Sequence, residues 1–194
     1  MNSTFQKHVK LALLIVCVAF VFVGIYFLFF YQKKEPINNQ KYLSVQFNTS
    51  DVILIKNTLP VSDQIGKSFD GEGTENGIQG YLEFSVKNKK DESISYDIIL
   101  TEQTTKEDKI KDSYIKMYFT DNQDNPLEGF ERSYIPTFYD FYYLTDKPSS
   151  KLLFEDSLEK GETKVYRLRV WLSDKYSLSF EPEEFAFDVD VLAK

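Results

Sequence analysis

The sequence predicts an all-β domain, an antiparallel β-sandwich of Ig-like or jelly-roll type, following one N-terminal transmembrane helix. Three observations predict it. Leu11 to Tyr31 is a run of twenty-one residues with neither charge nor proline. Downstream, apolar and polar residues alternate with period two through most of the chain, the pattern of a sheet packed on one face. No stretch there carries a strong 3.6-residue period, so two such sheets must bury their apolar faces against each other.

The apolar run is the first element. At about 1.5 Å per residue it spans roughly 31 Å as a helix, the thickness of a bilayer's hydrocarbon core. Lys10 closes one end and Lys33 and Lys34 the other. A secretory signal has a shorter core and small residues at its cleavage site. Here the run ends Phe27-Leu28-Phe29-Phe30-Tyr31, rings suited to a membrane interface. An uncleaved signal-anchor is therefore expected, with a cleaved signal as the alternative. Cys17 follows Val16 and is followed by more apolar residues. It reads as a small apolar residue within the span, not as a lipid attachment site.

Residues 1–10 form a short tail, 32–40 a polar stalk and 41–194 the displayed domain. Lysines flank the span almost equally, so charge alone leaves the orientation open. The first 34 residues hold four lysines and no acid, leaving 19 basic against 30 acidic residues, a formal charge of −11. The short tail and the acidic domain favour a single-pass cell-membrane protein with its C-terminal domain outside. The acidity argues against nucleic acid and anionic headgroups as partners.

Strands follow from the alternation. Tyr42 to Phe47 and Val52 to Ile55 are short candidates. Leu82, Phe84 and Val86 share one face, as do Ile94, Tyr96, Ile98 and Leu100, then Ile115, Met117 and Phe119. Tyr166, Leu168, Val170 and Leu172 line another while Arg167 and Arg169 point away, and Phe185, Phe187, Val189 and Val191 form the last. Asn88 to Asp91, Asp121 to Pro126 and Lys160-Gly161 supply turn chemistry. Thr105 to Ser113 and Phe154 to Lys160 read as short helical turns.

The succession Leu59-Pro60-Val61-Ser62-Asp63-Gln64-Ile65-Gly66-Lys67, then Gly80 to Asn88, Ser95 to Leu100 and Gly161 to Leu172 resembles a known group. It is similar to membrane-anchored surface proteins of low-GC Gram-positive bacteria and their wall-less relatives, and through them to the TasA/camelysin surface β-sandwiches. The resemblance covers Leu59 to Leu172 and is a strand rhythm more than a set of chemical residues. It implies a surface β-sandwich. TasA-like proteins are released and polymerise by strand exchange, whereas this chain is expected to keep its anchor. Camelysin is described as a metalloprotease, yet no His-Glu-x-x-His occurs here, and no functional residue carries over.

The chemistry is bounded by absences from the sequence. The one histidine, His8, precedes the apolar run, and the one cysteine lies inside it. Histidine zinc sites, Ser-His-Asp triads and Cys-His pairs are thus excluded from the domain. No glycine-rich loop matches a phosphate-binding fingerprint. No cofactor, metal or catalytic residue is expected. Weak calcium candidates are Asp70 and Glu72 in one acidic turn and Asp121 and Asp124 in another, set against solvated loops as the plainer reading.

Tyr134 to Leu144 (Tyr-Ile-Pro-Thr-Phe-Tyr-Asp-Phe-Tyr-Tyr-Leu) carries six aromatics in eleven residues. Aromatic side chains dominate binding hot spots, and they stack on sugar rings. Tyr134, Phe138, Tyr139, Tyr142 and Tyr143 are the ligand-binding candidates, against a plainer reading as core or end-cap. As a strand, the segment would bury either Phe138, Asp140 and Tyr142 or Tyr139, Phe141 and Tyr143; the second set is cleaner and leaves Phe138 and Tyr142 on the other face. The expected function is a single-pass surface protein displaying a β-sandwich for binding, adhesion or assembly, with a protein or glycan partner. The alternatives are an accessory subunit of an envelope or secretion complex, joined through a strand edge, and a carboxylate-based glycan-processing enzyme. An exposed aromatic shelf beside a polar cleft would favour sugar. Paired carboxylates in a deep cleft would favour the enzyme.

Overall fold

The computed structural model describes residues 41–48, 50–56, 58–71, 80–104, 109–131, 133–178 and 183–194. The expected span at 11–31 and the stalk lie outside the described residues. Among the described residues no helix is long and apolar enough to cross a membrane. Asn38–Lys194 forms one compact unit.

Among the described residues eight strands make two antiparallel sheets of four. They are β1 (Leu43–Phe47), β2 (Val52–Lys56), β3 (Tyr81–Asn88), β4 (Ile94–Glu102), β5 (Ile115–Asp121), β6 (Ser150–Leu158), β7 (Thr163–Leu172) and β8 (Glu184–Ala193). One sheet has the order β1-β3-β7-β5 and the other β2-β8-β4-β6. Odd strands lie in the first sheet and even strands in the second, so every connection crosses from one sheet to the other. No two strands consecutive in the chain pair.

The period-two residues face inward as the alternation requires. Leu82, Phe84, Val86, Leu168, Val170, Met117 and Phe119 from the first sheet meet Tyr96, Ile98, Leu100, Phe185, Phe187 and Val191 from the second in one buried cluster. Phe119 bridges the sheets, its ring edge-on to Phe154 at 5.8 Å and stacked with Tyr166 at 5.4 Å. Such aromatic pairs contribute about 0.5–1.5 kcal/mol each beyond the area they bury. A polar link also joins the sheets. The Tyr96 and Tyr166 hydroxyls share a hydrogen bond, and Tyr166 donates to Asp156 at 2.6 Å. Lys164 donates to both Asp156 oxygens at 2.8 and 3.0 Å. Burial holds both phenols well above the ordinary tyrosine value, so they stay neutral.

Strand β6 corrects the expectation of a helical turn at Phe154 to Lys160. Its register slips between Ile98 and Ile99 of β4, which oppose Phe154 and Leu152 and leave Leu153 as the extra residue of a bulge. The bulge moves the inward set from Leu158, Asp156 and Phe154 to Leu153 and Lys151, and so erases the simple alternation. At Thr105 to Ser113, residues 105–108 lie outside the described residues, and a 3-10 turn follows at Asp112–Tyr114.

The outer face of the first sheet is roofed by Thr58 to Gly71. Val61 N–H donates to the Leu172 carbonyl at 2.9 Å. The short helix α1 (Asp63–Gly66), capped by Ser62, sets Gly66 against the Trp171 ring so closely that a Cβ there would lie 2.1 Å from a ring carbon. Arg169 points away from the core as expected, and this roof buries it there. It donates to the Phe69 carbonyl at 2.6 Å, Thr120 Oγ1 at 3.1 Å and Asp124 at 2.6 Å.

The two sides of the sandwich differ. Edge strands β5 and β6 are closed by the crossover between them, residues 122–149. Met117 N–H donates to Pro136 O and Leu127 N–H to Phe119 O, at 2.9 and 3.1 Å. Leu144 N–H donates to Ser150 O and Leu152 N–H to Tyr142 O, at 2.8 and 3.1 Å. The opposite edges, β1 and β2, are five residues each and end their sheets.

Candidate ligand-binding face

The crossover that closes β5 and β6 carries the aromatic segment, and its geometry starts from Thr137 and Asp140. Asp140 Oδ2 accepts from Thr137 N at 2.7 Å and from its hydroxyl at 2.9 Å, and the Asp140 amide returns to the Thr137 carbonyl at 2.9 Å. This reciprocal cap folds Phe138–Asp140 into a 3-10 turn. The segment is therefore not a strand, and the expected alternation fails. Phe138 is buried, with its ring centroid 4.8 Å from Phe185 and edge-on, while Tyr139 and Tyr143, expected inside, are outside. Phe141 is half-buried and stacked on Phe130 at 5.9 Å. Tyr134, Tyr139, Tyr142 and Tyr143 are exposed by 51, 71, 86 and 51%.

The segment thus sorts its rings by chemistry. Phe138 turns inward, and the four side chains left in solvent all carry a hydroxyl. Tyrosine offers an apolar ring face and a polar tip, the combination that serves a wet binding surface.

Lys151 holds the segment from beneath. It is only 1% exposed, yet it bears an ammonium. Its Nζ donates to the Phe138 carbonyl at 2.7 Å and to Asp112 Oδ2 at 3.3 Å, and lies 4.5 Å from the centroids of both Phe138 and Tyr143. Burial pushes this ammonium below the ordinary lysine value, against the pull of Asp112. Asp112 is shared, because Lys109 reaches its other oxygen at 2.6 Å and Glu102 at 2.6 Å. Burial pulls Lys109 down, but the two carboxylates outweigh it and leave it above the ordinary value. Two ammonium groups and two carboxylates balance here under the tyrosines.

Where the Asp112–Tyr114 turn meets the Phe138–Asp140 turn, an open cleft of about 570 Å3 forms. Lys109, Lys111, Asp112, Ser113 and the Tyr139 ring line it. The volume suits a small ligand, and the mixture of one aromatic wall with a few polar groups is what such sites use. A second cleft of about 390 Å3 lies at Tyr42, lined also by Lys41, Lys89, Lys90, Asp91 and Glu92.

Sequence reasoning reached the tyrosines but missed Lys151, Lys109, Asp112 and Ser113. The available signal was Lys151 beside the apolar Leu152-Leu153-Phe154 run, a charge that must find partners if the run is buried.

The calcium candidates are placed as follows. Asp121 closes its own turn, accepting from Gln123 N and Asn125 N at 2.8 and 2.9 Å and from Asn125 Nδ2 at 2.9 Å. Asp124 Oδ1 takes Arg169 at 2.6 Å and Arg167 at 3.1 Å. Asp70 is exposed, and Glu72 lies outside the described residues. Among the described residues no group of three or more His, Cys, Asp or Glu side chains is set to hold a metal ion.

The carboxyls with raised pKa lie elsewhere. Burial raises Asp188, with Asp51 adding to it, and burial raises Asp190 against the pull of Lys147. Both belong to β8, and neither lines either cleft. Comparison with family profiles, curated proteins and solved structures gives no significant match to the chain.

Proposed function

We propose that the chain is a single-pass membrane-anchored surface protein whose β-sandwich binds a partner through the tyrosine face of the β5–β6 crossover. One observation carries this reading: four exposed tyrosines stand on a segment fixed by a capping box and a buried lysine. Rings held this way lose little freedom on binding, so the ordering cost of a contact with them is small. The uncharged run Leu11 to Tyr31 supports attachment. The strand rhythm that resembles the TasA/camelysin group supports a place at the cell surface.

A second reading is favoured by a separate observation. On β2, Val52 and Leu54 are exposed by 44 and 53%, side by side on a strand that ends its sheet. An accessory subunit would use that edge to add a partner strand. The two readings separate in one experiment. A photo-reactive amino acid is placed at Tyr142 in one protein and at Leu54 in another, each in the full-length chain in its own membrane. Cross-linking from position 142 supports the tyrosine face. Products only from position 54 transfer the function to the strand edge. Protease shaving of intact cells tests the display: loss of the domain is expected, and full protection would place it inside.

A further inference from the structure

We propose that the cleft beside Tyr139 binds an uncharged saccharide, with a sugar ring lying on the Tyr139 ring and its hydroxyls bonded by Ser113 and Lys111. This deepens the tyrosine-face reading and rests on it.

The charge of the site selects a neutral ligand. Inside the cleft Lys109 and Asp112 are 2.6 Å apart and satisfy each other, and both have further partners in Glu102 and Lys151. Lys109 and Asp112 thus compensate each other, and Lys111 is the one further charge on the lining. The tyrosine segment agrees: residues 131–147 hold three acids and two bases, close to neutral within a domain (41–194) whose 29 acids and 19 bases give −10 overall. An anionic ligand would be repelled at long range by that domain and would meet no uncompensated cluster of cations.

The polarity of the face selects sugar over a protein partner. The centre of a protein interface is apolar and depleted of charge. Here Ile135 and Phe138 are buried, Phe141 and Leu144 are half-buried, and the fully exposed rings are all phenols. A saccharide presents what complements this: a C–H face for an aromatic ring and a rim of hydroxyls for donors and acceptors. Ser113 supplies a hydroxyl that both donates and accepts, and Lys111 an ammonium that donates. The cleft is also built before the ligand arrives, since Lys151 fixes the Phe138 carbonyl and the Thr137–Asp140 cap fixes the turn that carries Tyr139.

The test uses the full-length chain in lipid nanodiscs, which avoids sugar-headed detergents. Retention is measured on beads of chitin, cellulose, mannan and dextran. At least one is expected to retain the chain. Tyr139→Ala should lower retention about tenfold, the scale of a hot-spot aromatic, while Tyr139→Trp preserves it and Tyr42→Ala at the second cleft leaves it unchanged. Tyr139 is exposed, so its truncation does not threaten the fold. Absence of retention on all four, or retention indifferent to Tyr139→Ala, overturns the inference.

A second arm separates this inference from the reading beneath it. The nanodiscs are bound to envelope fragments of the producing cell, treated with periodate to destroy sugar diols or with protease. Tyr139-dependent binding lost to periodate supports the saccharide. Tyr139-dependent binding that survives periodate and is lost to protease overturns the saccharide and leaves the tyrosine face standing. Cross-linking at Tyr142 that fails along with both arms removes the two together.

Discussion

Lys151→Met tests the floor beneath the tyrosines. Methionine keeps most of the stem volume and removes the ammonium. The Phe138 carbonyl then loses its 2.7 Å donor in a buried place, and an orphaned buried acceptor costs about 1–3 kcal/mol. Asp112 loses a partner at 3.3 Å but keeps Lys109 at 2.6 Å, so it is not left as a lone buried charge. The ring contacts at 4.5 Å lose their cation, roughly another 1 kcal/mol. Against these losses stands relief from burying an ammonium, whose depressed pKa reports that strain. The net is a destabilisation of about 2 kcal/mol, within the range for loss of a buried polar contact.

The assay is urea unfolding of the compact unit followed by far-UV circular dichroism. With a slope of about 2 kcal/mol/M the midpoint should fall by roughly 1 M. Lys151→Ala should fall further, because it also leaves a cavity. Chymotrypsin should cut Lys151→Met faster at Tyr139 to Tyr143 than elsewhere in the domain. A Lys151→Met protein within about 0.5 kcal/mol of the parent, with unchanged cleavage at the tyrosines, would refute the claim that this lysine positions them.

Three further outcomes are expected. Gly66→Ala drives a methyl into the Trp171 ring, 2.1 Å from its nearest carbon, so unfolding free energy should drop by about 1–3 kcal/mol; a neutral result in the same urea assay would mean the roof moves freely. Asp190→Asn should raise the urea midpoint at pH 7: the folded carboxyl holds its proton more tightly than the unfolded one, so its charge weakens the fold above the folded pKa. That gain should fade as pH falls through the folded pKa and toward the ordinary aspartate value of about 3.9, and a gain independent of pH would contradict the assignment. Deleting residues 1–34 should leave a soluble monomer that unfolds cooperatively; aggregation or a broad transition by sedimentation and calorimetry would refute the single-unit reading.

The sequence made the strands legible wherever alternation was undisturbed. Leu82, Phe84 and Val86, and likewise Phe185, Phe187, Val189 and Val191, face the core as expected. It concealed β6, because the bulge at Leu153 changes the inward parity within one strand and places the lysine Lys151 inside. It put Arg169 on the outer face, where it lies, but not under a cover, since period two tells which face a residue takes but not whether another segment covers that face. The same limit hid the cleft. Tyr139 was visible as an aromatic, but its neighbours Asp112 and Ser113 arrive from the far side of β5, through tertiary contacts that no local pattern records. The Thr137–Asp140 cap was readable in principle, because threonine followed three residues later by an acid resembles a helix-start signal. The density of aromatics around it reads as strand propensity instead.

The strand order also governs when the molecule can acquire its shape. β8, the last of the described strands, sits between β2 and β4 and pairs with both. No hairpin joins sequence neighbours, so early segments have no nearby template on which to zip up. A ribosome or translocation channel that delivers this chain from its N-terminus must release β2 to β7 before the second sheet can close. Until then β2 waits for a companion that emerges after all the other described strands, and any truncation of β8 parts β2 from the rest of that sheet.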